Sequence, residues 1–360
     1  MLLLEPVFFE EPPANLEGPW QDLAARAFAP SFQLEFRAVS AWCRHLRGDW
    51  RPFVLLAREG ESVRGIFPLM YRDERRRGLL PYRRIRFLAS THTDFSTVLA
   101  GSEDMEAVVN AALAWLFSSA LRWELCILDD LVEGNPAVAA LENGLRNYKA
   151  RVARADGRYY YLDLSRPWAD VWEGMSKKFV RRSTNLARNR ITKAGPWDIL
   201  VDPEWDVDRL MAEASPMHIE RQHELERESL YTGEDSRNFL RGVLQHNLAQ
   251  KRFRSYWLRF QETLIAYMFG FVSQGVFYAW NMAFRPEFAE FFPSKLLLLE
   301  IIRDCQRQGL KEFNFMRGES EYKAKWTKSF RTNTRLTIHN RSGLYGRGVQ
   351  ALESLFKRSS

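Results

Sequence analysis

Val276-Phe-Tyr-Ala-Trp-Asn-Met-Ala-Phe284, then Phe292-Pro-Ser-Lys-Leu-Leu-Leu-Leu-Glu-Ile-Ile-Arg-Asp-Cys-Gln-Arg-Gln-Gly309, then Glu312-Phe-Asn-Phe-Met316: these three runs decide the fold. The first is aromatic and β-favouring, and Arg285-Pro286 ends it because proline cannot continue a ladder. In the second, Ser294 is placed to cap a helix, Leu297, Leu298, Ile301 and Cys305 recur at helical spacing, and Gly309 stops it. The third is a short strand. Strand, crossover helix and strand form one βαβ unit, left through the turn Arg317-Gly318, with Tyr322-Lys323 just beyond. A helix N-terminus facing a sheet edge presents backbone N–H groups and the positive end of a dipole, which suits phosphate. Each such charge contact is worth about 0.3–1 kcal/mol, so a ligand there needs several.

At 360 residues the chain exceeds what one core usually supports, so two domains are expected, over 1–155 and 156–340, with a basic tail over 341–360. Hydrophobic residues make up 46% and charged residues 27%, ordinary for a soluble globular protein. The net charge of +7 points to an anionic ligand or surface without demanding nucleic acid. Cys43, Cys126 and Cys305 are far apart in apolar stretches and read as buried thiols in a reducing compartment. The first residues, Met1-Leu-Leu-Leu-Glu-Pro, lack the basic flank of a signal peptide, and no stretch approaches the roughly 18 apolar residues of a membrane span. The expectation is a cytoplasmic protein, with the inner face of the membrane as a peripheral station.

In the first half, Arg51–Gly60 and Ser62–Tyr71 read as a hairpin across Gly60, and Arg84–Ala89 as the next strand. His92 and Asp94 follow in a Thr/Ser-rich turn, where they suit a catalytic pair or a self-bonded loop. Helices are expected over 104–120 and from Asn135-Pro136 to Leu145, flanking a strand at Trp123–Leu128. The second half opens with the strand Tyr159–Leu164. A helix then runs from Pro167 through Ala194, with Trp172, Met175, Phe179 and Leu186 along one stripe. Lys177, Lys178, Arg181, Arg182, Arg188, Arg190 and Lys193 give it seven positive charges, which repel one another unless an anion is near. Acyl-CoA, a lipid-linked phosphosugar, phospholipid or RNA would each serve. His218 and His223 sit five apart on another helix and so do not share a face as a zinc pair would. No metal is expected. There are no repeats of 20–50 residues and no Walker, Rossmann or Gly-x-Ser-x-Gly motif.

The aromatic strand with Tyr278 and Trp280, the Pro-Ser-Lys-Leu-Leu helix start, Gly309, Phe313-Asn-Phe, Gly318 and Tyr322-Lys323 resemble the C-terminal half of a known family. It is the CelD-like, BioF-type acetyltransferase family of the GNAT superfamily, similar in layout to the Fem-type peptidyltransferases. Gly65-Ile-Phe-Pro-Leu69, the Ser-Lys-Lys-Phe-x-Arg-Arg tract and His218 with Arg221 resemble further elements of it. This chain departs from the pattern at Asn314, where the family has Asp, and at Leu264, where it has Pro.

The resemblance implies an α/β protein of two tandem GNAT-like domains with mixed central sheets. It implies an N- or O-acyltransferase with acetyl-CoA or another acyl-CoA as co-substrate, no permanently bound cofactor, and a cell-envelope or exopolysaccharide acceptor, a small molecule or glycan. On that reading Ser294, Lys295 and Leu296 hold the CoA pyrophosphate, and Tyr278 and Trp280 line the pantetheine arm. Lys323 stabilises developing negative charge, Tyr322 is the acid, and Asp94 or His218 is the base. Arg181 and Arg182 take an anionic acceptor or a nucleotide phosphate, with Arg317 as a further substrate contact. Two alternatives stand beside it. One is a Fem-like aminoacyltransferase whose basic helix meets charged tRNA, and the other a non-catalytic module attached to polysaccharide machinery.

Overall fold

The computed structural model describes residues 2–28, 32–76, 80–118 and 121–341; the basic tail expected over 341–360 lies, apart from Arg341, outside them. The chain divides into two units, one running to Gly157 and completed by the strand from Thr332, the other spanning Arg158–Arg331.

The first unit comprises β1 (Leu3–Phe8), α1 (Glu17–Arg26), α2 (Phe36–His45), β2 (Arg51–Glu59), β3 (Ser62–Arg76), β4 (Leu80–Phe87), β5 (Leu99–Ala100), α3 (Met105–Ser118), β6 (Leu125–Val132) and α4 (Pro136–Leu145). Its sheet has the order β1-β2-β3-β4-β6 and then the closing strand Phe330–Asn340. Every pairing along it is antiparallel except β4 with β6, whose register runs from Arg84 opposite Leu125 to Arg86 opposite Ile127. The hairpin expected at Gly60 forms, with φ +59° at that glycine. Phe53, Leu55 and Ala57 on β2 and Phe67 and Leu69 on β3 alternate onto the core face, where α3 lays Val108, Val109, Ala112 and Leu116. Gly65 lets that helix close in, since a Cβ there would stand 2.5 Å from a Val108 methyl. Asn135 caps α4 as its sequence suggests, accepting from Ala137 N–H at 3.0 Å with Pro136 in the first turn.

The second unit takes up residues 158–163 of β7 (Ala150–Asp163) and continues with α5 (Trp168–Gly174), a π-helical turn (Lys177–Arg182), α6 (Ser183–Ala194), β8 (Trp197–Val201), α7 (Val207–Glu224), α8 (Glu234–Ala249), β9 (Phe253–Phe260), β10 (Thr263–Ser273), β11 (Val276–Phe284), α9 (Pro293–Arg307), β12 (Glu312–Asn314) and α10 (Glu321–Trp326). The sheet order is β7-β12-β11-β10-β9-β8, with β11 and β12 its one parallel pair among the described strands. Leu296, Leu297, Ile301, Ile302 and Cys305 of α9 pack against Leu258, Ile265, Met268 and Phe277 of the sheet, and Val180, Ala187 and Ile191 join the same core.

Each unit thus runs an antiparallel meander, a crossover helix and a parallel return: β2-β3-β4-α3-β6 in the first, β9-β10-β11-α9-β12 in the second. This is the mixed α/β arrangement in two units that the resemblance implies.

One expected helix is corrected. The tract from Pro167 does not run unbroken to Ala194, because Met175 is extended (ψ 150°) and ends α5, after which Ser176 caps the π-helical turn. The wider turn moves the inward stripe to Val180, Thr184, Ala187 and Ile191, while Phe179 and Leu186 remain 44% and 43% exposed.

Candidate functional site

The site begins where β11 and β12 part. Their ladder holds for three residues, Val276 to Tyr278 opposite Glu312 to Asn314, after which β12 ends and β11 continues to Phe284. From Ala279 onward the β12-facing edge of β11 has no strand partner among the described residues. On its other side, β11 carries a bulge: Phe269 of β10 opposes Asn281 while Gly270 opposes Ala279, leaving Trp280 as the extra residue. The bulge resets the alternation. Phe277 and Ala279 join the α9-side core before it, and Met282 and Phe284 join that core after it. Asn281 faces the other way and accepts a hydrogen bond from the buried Tyr267 hydroxyl. Burial, with Glu312 adding to it, pushes the Tyr278 hydroxyl up to about 12, so it stays protonated. The Trp280 ring packs 5.1 Å from Phe271.

Beyond β11 the chain turns through Pro286–Phe291 into α9. The expected Ser294 cap is corrected. Phe292 occupies the cap position in the left-handed region (φ 48°, ψ 50°), Pro293 takes the first helical position, and no side chain caps the helix. The Phe292 carbonyl accepts from both Lys295 N–H (3.0 Å) and Leu296 N–H (3.1 Å). Those two amides are therefore satisfied, and of the three expected to face a pyrophosphate only that of Ser294 has no backbone acceptor among the described residues. Leu296's side chain belongs to the core.

A cavity of about 340 Å³ opens here, lined by Arg221 from α7, Met282, Ala283 and Phe284 from β11, Ala289, Phe292, Pro293, Ser294 and Lys295 from the start of α9, and Tyr322 from α10. Its walls are apolar and its cations are Arg221 and Lys295. Arg221 reaches Glu224 at 2.7 Å and lies 5.3 Å over the Phe284 ring. Lys295 has no carboxylate within 4.0 Å among the described residues; its ammonium contacts Ser183 Oγ at 3.5 Å and lies 5.3 Å over Phe292. Burial, and secondarily the charge of Lys325, lowers its pKa, as happens to a cation that lacks a counter-ion. Tyr322 keeps 36% of its surface exposed, and burial raises the pKa of its hydroxyl above the ordinary phenol value.

Lys323, next to Tyr322, turns back onto the loop it follows. Its ammonium donates to the carbonyls of Met316 (3.0 Å) and Arg317 (2.6 Å), closing a turn in which Met316 (φ 59°) and Gly318 (φ 102°) are left-handed. Arg317 itself is exposed on this turn. Asn314 also serves the turn, its Oδ1 accepting from Met316 N–H at 2.9 Å while its amide donates to Glu312 at 3.1 Å. Glu312 is buried and takes Arg331 through two bonds of 2.8 and 2.6 Å, with that guanidinium 4.0 Å over Tyr161. Asp in place of Asn314 would set a carboxylate against Glu312.

The two candidate bases lie elsewhere. His218, only 7% exposed, shares a 2.7 Å hydrogen bond with Ser229 and packs 5.0 Å from Tyr231; burial lowers its pKa to about 4. It is not among the residues that line the cavity. Asp94 belongs to the first unit, where its carboxylate accepts from Gln33 at 2.8 Å and its N–H donates to Gln33 at 2.7 Å, and His92 Nδ1 accepts from Trp42 at 3.1 Å. Arg181 and Arg182 sit on the π-helical turn, which α10 joins through Ser176 N–H to Lys325 O at 3.0 Å. The structure thus gathers Ser294, Lys295 and Tyr322 on one cavity at the end of the strand carrying Tyr278 and Trp280. It adds Arg221, Met282 and Phe292 to them, and only the i, i+2 alternation of β11 beyond Trp280 could have exposed Met282 in advance.

Comparison with known proteins adds the fold's relatives. A crystal structure of FemX superposes with a TM-score of 0.60 at 9% identity, covering 91% of this chain and 96% of that one. L-PGS from Bacillus licheniformis gives 0.53 at 12%, covering 98% of each chain. The C-terminal domain of a protein assigned as a lysylphosphatidylglycerol synthetase from Agrobacterium fabrum gives 0.53 at 14%, covering 94% of this chain and 96% of that one. At these identities the likeness is one of fold. No curated protein matches the chain by sequence. Residues 178–324, which include every residue of the cavity, match the family described as acetyltransferase (GNAT) domain, so the second unit carries a GNAT-type acetyltransferase domain.

Proposed function

We propose that the protein is an acyl-CoA-dependent acyltransferase of the CelD-like kind, acting on an amine or hydroxyl of a cell-envelope or exopolysaccharide acceptor. The observation that carries this reading is the free edge of β11 from Ala279 to Phe284, which opens onto the cavity at the start of α9. A pantetheine arm has the amide groups to add to such an edge as an extra strand would. The phosphates then meet the Ser294 N–H and the Lys295 ammonium, a cation without a carboxylate partner among the described residues. Arg181 and Arg182 bring further positive charge for an anionic acceptor or the nucleotide end. Tyr322, held protonated at neutral pH, donates to the leaving thiolate. Lys323 acts by fixing the turn that presents Tyr322. Holding thioester and acceptor together can supply effective molarities of about 10⁵–10⁸ M, so a positioned nucleophile needs only modest further help.

Calorimetric titration with acetyl-CoA and longer acyl-CoAs tests this. Saturable binding that Lys295→Glu abolishes supports it, and the absence of any CoA binding overturns it. A second reading, aminoacyl transfer from charged tRNA, is favoured by the FemX likeness over 91% of the chain together with the carboxylate-free basic tract. It requires tRNA binding that weakens steeply with salt, in a protein that ignores coenzyme A.

A further inference from the structure

The basic tract carries more than the cavity uses. Residues 176–194 contain seven cations and no acidic residue. Arg188 pairs with Glu300, while none of the other six has a carboxylate within 4.0 Å among the described residues. On the outward side, opposite the buried stripe Val180, Thr184, Ala187 and Ile191, stand two apolar side chains, Phe179 and Leu186, 44% and 43% exposed. An unbroken α-helix from Val171 would have turned both inward behind Met175; the break at Met175 and the π-helical turn carry them outward instead. Phe179 is flanked by charge, with the Lys325 ammonium 4.0 Å and that of Lys178 5.6 Å from its ring centroid. An apolar group ringed by ammonium groups, on a helix whose outer face is basic, matches the boundary between acyl chains and anionic headgroups.

From this juxtaposition we infer that residues 176–194 form an interfacial element that seats the second unit on an anionic phospholipid surface. Phe179 and Leu186 enter the acyl boundary, and the exposed Lys177, Lys178 and Lys193 meet the headgroup phosphates. RNA would find the same charge and could stack one base on Phe179, but it has no use for the exposed Leu186, whereas a bilayer takes both side chains and so fits the face better.

Sedimentation with vesicles tests the inference on the full chain. The expected result is binding to phosphatidylcholine vesicles only when phosphatidylglycerol is present, weakening as salt rises. Lys178→Glu with Lys193→Glu should lower partitioning by about tenfold or more. Phe179→Ala with Leu186→Ala, which keeps every charge, should lower it by about fivefold or more. No phosphatidylglycerol-dependent binding, or wild-type partitioning in the Phe179/Leu186 variant, overturns the inference. So does a charge-reversal variant that loses bulk tRNA binding when vesicle binding was never present, which assigns the face to RNA. Coenzyme A titration of the same variants reports on the cavity separately: retained coenzyme A binding with absent vesicle binding rejects the membrane element and leaves the thioester site standing.

Discussion

Replacing Gly270 by alanine tests how the free edge of β11 is made. A Cβ at this position would lie 2.8 Å from Phe277 Cε1 and 2.8 Å from the Tyr278 carbonyl oxygen, both closer than real Cβ contacts allow. Phe277 cannot swing away, being fully buried, stacked on Phe313 at 5.1 Å and edge-on to Tyr256 at 6.0 Å. The methyl must therefore push β11 itself, at the residue where β11 and β12 part. Overpacking of this kind costs about 1–3 kcal/mol. The lost flexibility of the unfolded chain returns about 0.4–1 kcal/mol, leaving roughly 0.6–2 kcal/mol of destabilisation when like ends of the two ranges are subtracted. Urea unfolding followed by tryptophan fluorescence should then show a midpoint lowered by about 0.3–1 M at an unchanged slope of about 2 kcal/mol/M. Phe277→Leu in the same chain should recover part of the loss, with a coupling of about 1 kcal/mol in the double-mutant cycle. A midpoint equal to or above wild type in Gly270→Ala, or strict additivity with Phe277→Leu, would refute the claim that this glycine exists to let Phe277 and the bulge pack together.

Asn314→Asp should destabilise by about 1–3 kcal/mol at neutral pH, since it removes the amide that satisfies Glu312 and sets a second carboxyl beside it. The introduced group's folded pKa is raised, so the penalty fades as pH falls below about 4 and grows as pH rises through that value, measurable as the difference in urea midpoint from wild type across pH. His218 carries a linkage of the opposite sense. Its pKa drops from about 6.5 unfolded to about 4 folded, so the stability it contributes is present above pH 6.5 and is lost, by about 3 kcal/mol in all, as pH falls through the folded value. His218→Gln should flatten wild-type stability between pH 7 and pH 4; an unchanged slope would contradict the assignment.

The strand-helix-strand of β11, α9 and β12 was legible because its signals are local: aromatic and β-branched alternation, a leucine stripe at helical spacing, and terminators at Pro286 and Gly309. The hairpin at Gly60 and the Asn135 cap were legible for the same reason. What escaped depends on backbone geometry that spacing does not encode. Ser294 has the chemistry of a cap, yet Phe292 adopts a left-handed conformation that lets Pro293 open the helix one residue earlier and spends one carbonyl on two amides. Phe179 and Leu186 sit at inward positions on a straight helix and are turned outward by a π-helical turn that no residue type announces. The extra residue at Trp280 likewise changes which side of β11 faces the cavity, and only the register against β10 exposes it. The resemblance gives Lys323 a charge-stabilising role, and nothing in its spacing announces that its ammonium also donates to the Met316 and Arg317 carbonyls, in the turn that Asn314 serves from the other side.

The most direct measurement is a crystal structure of the protein grown with coenzyme A. The pantetheine arm should lie along Ala279 to Phe284 of β11, with a phosphate in hydrogen-bonding range of the Lys295 ammonium and the Ser294 N–H. Ligand density at any other surface of the second unit, or a β11 edge left bare at saturating coenzyme A, would contradict it.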